Sequence, residues 1–232
     1  MEIWFKKLGF YNNPFSIKPA AFSDDIYGYN TQEIIDKINN GAVLFIEGAY
    51  GKGKTTILKK IIRKFGGKKK VVYYSCNRKD NDIDFNELLM GGSLLGRLFN
   101  MKSKGMILLL DESQEMSNND WENIANYHNE YFKSVVMVGN NFDAKKFSDN
   151  INKLVDGNVI TLGKLSLEDA INIVRKRIGN LDIIDDETIA YIFSKSGDNP
   201  RRLLKNCEQV CKHAFDLGYD KVTKEHVDAV LK

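Results

Sequence analysis

A glycine- and lysine-rich octapeptide between two apolar segments has the composition of a phosphate-binding loop. Residues 48–55 read Gly-Ala-Tyr-Gly-Lys-Gly-Lys-Thr and satisfy the pattern G-x-x-x-x-G-K-[ST]. The backbone N–H groups of such a loop can surround phosphate oxygens, and the following helix adds the positive end of its dipole. Lys54 would bring a charge to the β- and γ-phosphates of a nucleotide, and the Thr55 hydroxyl would bind Mg²⁺. The predicted nucleotide-binding residues of this loop are Gly48, Ala49, Tyr50, Gly51, Lys52, Gly53, Lys54, Thr55 and Thr56.

Two carboxylates end the most apolar run of the chain. Residues 107–112 read Ile-Leu-Leu-Leu-Asp-Glu, which is typical of a buried strand that delivers Asp111 and Glu112 to the sheet edge where parallel sheets bind ligands. Asp111 would hold Mg²⁺ through its water shell, and Glu112 would activate an attacking water molecule. Apolar strands that end in carboxylates are common, and the phosphate loop upstream is what makes the pair specific.

Two polar positions further along the chain are candidates for contacts with the reacting phosphate. Residues 135–140, Val-Val-Met-Val-Gly-Asn, predict a strand from which Asn140 would orient the water; an ordinary strand-terminal turn is the alternative. Residues 197–202, Gly-Asp-Asn-Pro-Arg-Arg, begin a helix. Arg201 and Arg202 place positive charges at the positive end of the dipole of that helix. This arrangement costs free energy, which a bound phosphate would offset. Solvated arginines on an amphipathic helix are the alternative there.

Alternating strands and helices would position these residues. Hydrophobic patterning predicts strands at 42–47, 71–75, 106–110, 135–138 and 159–162, with helices at 55–65, at 83–99 with a break at Gly91-Gly92, and at 118–128. This alternation favours an α/β fold with a five-stranded parallel sheet covered by helices on both faces. From residue 166 onward only helices are predicted, at 166–178, 185–194, 199–217 and from 223. We therefore expect an N-terminal arm over 1–30, an α/β core over 31–165 and an all-helical domain over 166–232.

Composition excludes several other classes of protein. With 232 residues, 43% of them hydrophobic, the chain is neither a disordered tail nor a disulfide-stapled mini-protein. Its 34 basic and 31 acidic residues give a net charge of +3, so no large basic face for nucleic acid is expected. Cys76, Cys207 and Cys211 form no CxxC pair and suit free thiols in a reducing compartment. No apolar run approaches a membrane span and no signal peptide is evident, so a soluble cytoplasmic protein is expected.

The motifs together resemble an AAA+ ATPase over nearly the whole chain. Within that superfamily they are most similar to the archaeal Orc1/Cdc6-like and ExeA-like group, through Asn-Pro-Phe at 13–15, Asp-Glu-Ser-Gln at 111–114 and Leu-Gly-Lys-Leu-Ser-Leu-Glu-Asp at 162–169. The resemblance implies a P-loop NTPase core followed by a small helical lid, with ATP or ADP and Mg²⁺ as ligands. The implied roles are Walker A for Lys54 and Thr55, Walker B for Asp111 and Glu112, sensor 1 for Asn140 and sensor 2 for Arg201.

Two departures from the family bear on mechanism. AAA+ assemblies usually complete each site with an arginine finger from a neighbouring subunit, yet no arginine lies between Leu98 and Val174. Lys145, Lys146 and Lys153 occupy that segment, and Lys153 is the best placed of the three. With a lysine finger, an oligomer should hydrolyse ATP slowly. Without any finger, the protein would be a monomer or would depend on a partner that supplies the finger. Initiators of the group also carry a winged-helix domain after the lid. No such domain is expected between the lid and Lys232, so sequence-specific recognition of duplex DNA is not expected.

Two aromatic features are weaker candidates. The aromatic residues of the arm could form a partner-docking surface, but such side chains more often pack on their own protein: Trp4, Phe5, Phe10, Tyr11 and Phe15. By resemblance, Tyr27 or Tyr29 would lie near the adenine.

These observations predict a slow, Mg²⁺-dependent ATPase that acts as a nucleotide switch in DNA replication, recombination or a related remodelling process. A nucleotide-dependent adaptor with little or no hydrolysis is the alternative, which the missing arginine favours. A small-molecule kinase is a third, disfavoured by the separate helical domain. The expected partners are ATP, DNA or a DNA-bound protein, and further copies in a nucleotide-dependent oligomer; no membrane partner is expected.

Overall fold

The chain divides into a sheet unit and a helical unit. The structure, a computed structural model, describes residues 3–18, 29–66, 70–77, 83–90 and 103–231. The sheet unit comprises the described residues of Asn30–Tyr50 and Lys54–Leu162, and the helical unit those of Met1–Tyr29, Gly51–Gly53 and Gly163–Lys232. Among the described residues, no helix combines the length and the hydrophobicity that crossing a membrane requires.

The sheet unit is built on five parallel strands, β1 Val43–Glu47, β2 Val71–Ser75, β3 Met106–Asp111, β4 Phe132–Gly139 and β5 Val159–Thr161. Their spatial order is β2-β3-β4-β1-β5, which confirms the predicted five-stranded parallel sheet. All of β3 is buried and β1 is buried except at its last residue. Continuous apolar runs of this kind are expected where helices cover both faces of a parallel sheet.

The described helices are, in chain order, α1 Trp4–Lys7, α2 Thr31–Asn39, α3 Lys54–Phe65, α4 Phe85–Leu89, α5 Asn118–Tyr131, α6 Asp149–Val155, α7 Leu167–Ile178, α8 Asp186–Ser194, α9 Pro200–Asp216 and α10 Lys224–Val230. Ser117 begins α5 with a capping box, in which its side chain and that of Asp120 each accept a backbone N–H of the other residue. Asp120 also accepts from the backbone N–H of Ile83 at 2.7 Å. This buried carboxylate therefore ties the segment before α4 to the start of α5.

Four elements differ from the patterns in the sequence. Strand β4 begins at Phe132, three residues before the predicted start at residue 135. It follows α5 without a loop, since the backbone changes from helical to extended at Phe132. The short helices α1 and α6 have too few residues for a recognisable helical period. Of the helix predicted over 83–99, the structure describes α4, and residues 91–99 lie outside the described residues.

The helical unit packs the N-terminal arm against its own helices. The Trp4 ring stacks on the rings of Phe15 and Phe215, with centroids 6.1 Å apart in both pairs. The Arg177 guanidinium donates to the carbonyl oxygens of Pro14 and Ser16 at 3.1 and 2.7 Å. Trp4 and Phe15 are buried in the same apolar cluster as the interior faces of α7 to α10. Trp4 and Phe15 therefore belong to this core, whereas Tyr11 of the arm is 90% exposed.

Candidate functional site

The glycine loop connects β1 to α3 in the strand, loop and helix order that its pattern predicts. Gly51 and Gly53 have φ values of +87° and +94°, which residues other than glycine rarely adopt. At Gly48 a Cβ atom would lie 3.0 Å from the Cβ of Leu162, just beyond β5. The loop residues Ala49 and Tyr50 are exposed, and Thr56 is half-buried in the first turn of α3. A tightly curled backbone thus precedes the N-terminus of α3.

Lys54 is buried at the first position of α3. Its ammonium group donates to the carbonyl oxygen of Gly48 at 2.6 Å and to the Oδ1 atom of Asn140 at 3.4 Å. Burial lowers the pKa of Lys54, and the carboxylates of Glu112 and Asp111 oppose that shift. A lysine with one strong partner inside its own loop can exchange that partner for a phosphate oxygen.

Asp111, at the end of β3, is a buried carboxylate surrounded by donors. Its Oδ2 atom accepts from the hydroxyls of Thr55 at 2.9 Å and Tyr73 at 3.0 Å. Its Oδ1 atom accepts from the backbone N–H of Glu112 at 3.1 Å. Burial raises the pKa of Tyr73 to about 12 and Asp111 adds to the shift, so the phenol is protonated and donates at neutral pH.

The oxygen atoms of Thr55 and Asp111 fit Mg²⁺. Hydroxyl and carboxylate oxygens are the donors that this hard cation prefers, and it commonly uses one or two carboxylates beside substrate phosphates. In the described part of the chain no group of three or more His, Cys, Asp or Glu residues could hold a metal ion.

Glu112 adopts a backbone conformation that residues other than glycine seldom adopt. Its φ of 54° and ψ of 43° are left-handed, a conformation that costs about 1–3 kcal/mol outside glycine. Its carboxylate accepts from the Gln114 amide at 2.6 Å. The Ser113 hydroxyl donates to the Val138 carbonyl at 3.0 Å and so attaches this turn to β4. Gln114 belongs to the Asp-Glu-Ser-Gln motif, but no periodicity in the sequence predicts its contact with Glu112.

Asn140 directly follows β4, and the backbone on either side of it lies close to β1. At Gly139 a Cβ atom would lie 2.7 Å from the Phe45 ring, so only glycine lets β4 end this close to β1. The Glu47 carboxylate accepts from the Phe142 N–H at 2.7 Å and from the Thr161 hydroxyl at 2.6 Å. Glu47 thereby connects the ends of β1 and β5 to the segment after Asn140. Sequence reasoning missed Glu47.

Arg201 lies in the helical unit, in the first turn of α9. The Asn199 side chain caps this helix by accepting from the N–H groups of Arg201 and Arg202 at 3.0 and 3.1 Å. In the same unit, Lys52 donates to the Asp198 carbonyl at 2.7 Å. A Cβ atom at Gly51 would lie 2.6 Å from the Asn199 Oδ1 atom and 3.0 Å from the Arg201 Cβ atom. The predicted sensor arginine thus neighbours the tip of the glycine loop.

The remaining candidates are a tyrosine that contacts the glycine loop and three lysines. The Tyr29 hydroxyl donates to the Lys52 carbonyl at 2.9 Å, and Tyr27 lies outside the described residues. Burial raises the pKa of Tyr29 to about 12, and Asp169 adds to the shift. The three lysines that could replace an arginine finger are exposed: Lys145, Lys146 and Lys153.

Comparison with known proteins adds a sequence family and a set of similar folds. The profile of a family described as an AAA domain matches residues 40–168. None of the curated protein sequences compared with the chain matches it.

Similar solved structures include the Orc1 protein of Aeropyrum pernix in complex with DNA, with a TM-score of 0.69 and 14% identity over 90% of this chain. Drosophila ORC bound to DNA matches with a TM-score of 0.65 and 17% identity over 99% of this chain. The RuvB Holliday junction branch migration motor of Thermotoga maritima matches with a TM-score of 0.66 and 15% identity over 86% of it, and the match covers 68% of RuvB. The chain spans 66% of the Aeropyrum chain and 64% of the Drosophila chain. At these identities the likeness concerns the fold.

Proposed function

Because the chain belongs to the AAA domain family, whose profile covers more than half of it, we propose that it binds ATP with Mg²⁺ and hydrolyses it to ADP and phosphate. One observation carries the proposal. The Thr55 hydroxyl at the start of α3 donates to the Asp111 carboxylate at the end of β3, while neighbouring Lys54 reaches Asn140. The two phosphate-loop residues and the two strand-end residues that the motifs single out therefore meet at one edge of the sheet.

The chemistry follows from the groups at that edge. The loop N–H groups and Lys54 would hold the phosphates, and Thr55 and Asp111 would hold the cation. Bound Mg²⁺ supplies positive charge that offsets the charge developing on the phosphates. Glu112 would accept the proton of the attacking water, and Asn140 would orient that water. Arg201 would bind a phosphate oxygen from the helical lid.

The similar solved structures support a proposal about the process. Two of them are bound to DNA and a third is a branch migration motor. We therefore propose that the nucleotide state acts as a switch in DNA replication, recombination or a related remodelling process, with DNA or a DNA-bound protein as partner. In this scheme residues 1–30 are the arm, 31–165 the nucleotide-binding core and 166–232 the lid.

One observation favours a second candidate function, a nucleotide-dependent adaptor with little or no turnover. No arginine lies between Leu98 and Val174, where AAA+ assemblies carry the finger that completes a neighbouring site. Exposed Lys153 on α6 is the available substitute in that segment. Lysine lacks the planar fork of donors with which arginine binds phosphate, so slow hydrolysis is expected even from an oligomer.

Binding and turnover of ATP separate these candidates. Lys54→Ala should weaken ATP binding by about 10²-fold or more, since it removes a charge-assisted contact to the phosphates. Lys64→Ala, on the exposed side of the same helix, is the matched control and should bind as the wild type does. Phosphate release that stays at background at high protein concentration and with DNA would favour the adaptor. Absence of ATP binding by the wild type would rule out both candidates.

A further inference from the structure

An aromatic residue on the edge strand of the sheet reaches the carboxylate at the centre of the candidate site. The Tyr73 hydroxyl donates to the Asp111 Oδ2 atom at 3.0 Å. Tyr73 lies in β2, which is the edge strand next to β3. Neither the phosphate-loop pattern nor the strand-end carboxylates gave it a role.

The register of β2 and β3 explains how the contact arises. Tyr73 lies opposite Leu109, so Asp111 is its diagonal neighbour, two residues further along β3. Diagonal neighbours on one face of a sheet are within reach of aromatic side chains. Side chains alternate between faces, so Tyr73 and Asp111 share the face opposite to Val72 and Tyr74, which pack in the apolar core.

The face shared by Tyr73 and Asp111 also meets the start of α3. Thr55 donates to the same Oδ2 atom at 2.9 Å. An ionised carboxylate offers about four lone-pair positions in total, so two hydroxyl donors occupy those of Oδ2. Asp111 is 4% exposed, and water can replace a lost donor only poorly there. Without the phenol, the Thr55 hydroxyl and the Glu112 backbone N–H would remain as the restraints on the carboxylate, and Oδ2 would keep one donor in place of two.

We propose that Tyr73 is a positioning residue for the cation site. Its hydroxyl fixes the orientation of the Asp111 carboxylate, so that Asp111 and Thr55 present their oxygens together to the Mg²⁺ of a bound nucleotide. Groups that orient a metal-binding carboxylate raise the affinity of the site without touching the ion. The inference rests on the proposed function, because it concerns the cation that accompanies the nucleotide.

An edge-strand tyrosine with an incidental hydrogen bond is the competing explanation. Tyrosine is common in strands, and Tyr73 is 41% exposed. A merely structural Tyr73 would affect folding and metal-free nucleotide binding, or nothing at all. A positioning Tyr73 would change the Mg²⁺ dependence of nucleotide binding and leave metal-free binding unchanged.

The test compares Tyr73→Phe with Tyr74→Phe, which removes the same hydroxyl from the opposite face of the same strand. Fluorescent ADP is titrated into each protein in EDTA, and Mg²⁺ is then titrated at fixed ADP. Tyr73→Phe should raise by about tenfold the Mg²⁺ concentration that gives half of the maximal change in ADP binding, which we call the Mg²⁺ midpoint. Tenfold is the lower end of the range for groups that orient metal ligands. Its Kd for ADP in EDTA should equal that of the wild type, and Tyr74→Phe should match the wild type in both measurements.

A Tyr73→Phe protein with the wild-type Mg²⁺ midpoint would overturn the inference and leave the proposed function intact. A wild type that binds no ADP, or binds it without regard to Mg²⁺, would overturn the proposed function and the inference with it. Tyr73→Leu is the second variant if the phenylalanine form fails to fold. It removes the same donor at an exposed position and must show the same displaced midpoint; a wild-type midpoint there also overturns the inference.

Discussion

The Thr55 hydroxyl donates to the Asp111 carboxylate at 2.9 Å, although 56 residues separate them in the chain. Thr55 comes from the second position of α3 and Asp111 from the last position of β3. The parallel sheet directs the carboxyl end of β3 toward the loop that precedes α3. This single contact joins the two motifs on which a cation site would depend.

Loss of the Thr55 hydroxyl should separate metal-dependent from metal-independent nucleotide binding. Thr55→Val keeps the shape of the side chain but removes both the cation ligand and a donor to Asp111. We expect the Mg²⁺ midpoint for ADP binding to rise by about 10- to 100-fold. Thr55→Ser keeps the hydroxyl and should stay near the wild type. Equal midpoints for Thr55→Val and Thr55→Ser would argue against a cation ligand at this position.

A methyl group at Gly139 should destabilise the sheet unit. The new Cβ atom would meet the Phe45 ring at 2.7 Å in a buried site, and such overpacking typically costs about 1–3 kcal/mol. At Gly163 a Cβ atom would meet nothing within 4 Å, so Gly163→Ala is the control. Urea unfolding of both variants measures the difference in the free energy of unfolding. A Gly139→Ala protein as stable as its control would show that β4 can shift without penalty.

The stacked arm should contribute strongly to the stability of the helical unit. Trp4 is 7% exposed between Phe15 and Phe215, and truncation of a buried tryptophan costs about 3–5 kcal/mol. Tyr11 is 90% exposed, so Tyr11→Ala should change the free energy of unfolding by less than about 0.5 kcal/mol. Thermal unfolding compares Trp4→Ala with Tyr11→Ala. Similar Tm values for the two variants would contradict a buried arm.

Acid should destabilise the protein through His128 near the end of α5. Burial lowers the pKa of His128, while contacts with Asn129 and the Gly41 backbone oppose the shift. The pKa of an unfolded histidine is about 6.5, so below that pH the unfolded state binds more protons than the folded state. The free energy of unfolding should therefore fall as pH decreases through that value, down to the folded-state pKa. Urea unfolding from pH 7.5 to 5.5 should show a smaller loss for His128→Leu than for the wild type, and parallel losses would refute the assignment.

Local patterns predicted the fold and the residues of the two main motifs. Residues 48–55 lie between a continuous apolar strand and an amphipathic helix, so their place at a sheet edge follows from nearby sequence. The roles of Glu47, Tyr73 and Gln114 could not be anticipated in this way. Each depends on strand register or on the geometry of a single turn, which bring together residues without a fixed spacing in the sequence. The periodicity of a single segment does not reveal its register with strands that are distant in the sequence.

The proposed ATPase is tested most directly by measuring ATP binding and phosphate release for the wild type and Glu112→Gln together. Glu115→Gln changes an exposed glutamate of the same turn and is the matched control. The wild type and the control should release phosphate, whereas Glu112→Gln should bind ATP with unchanged affinity and lose about 10²- to 10⁴-fold in hydrolysis rate, as expected for removal of a general base. Hydrolysis by Glu112→Gln at the wild-type rate would contradict the account.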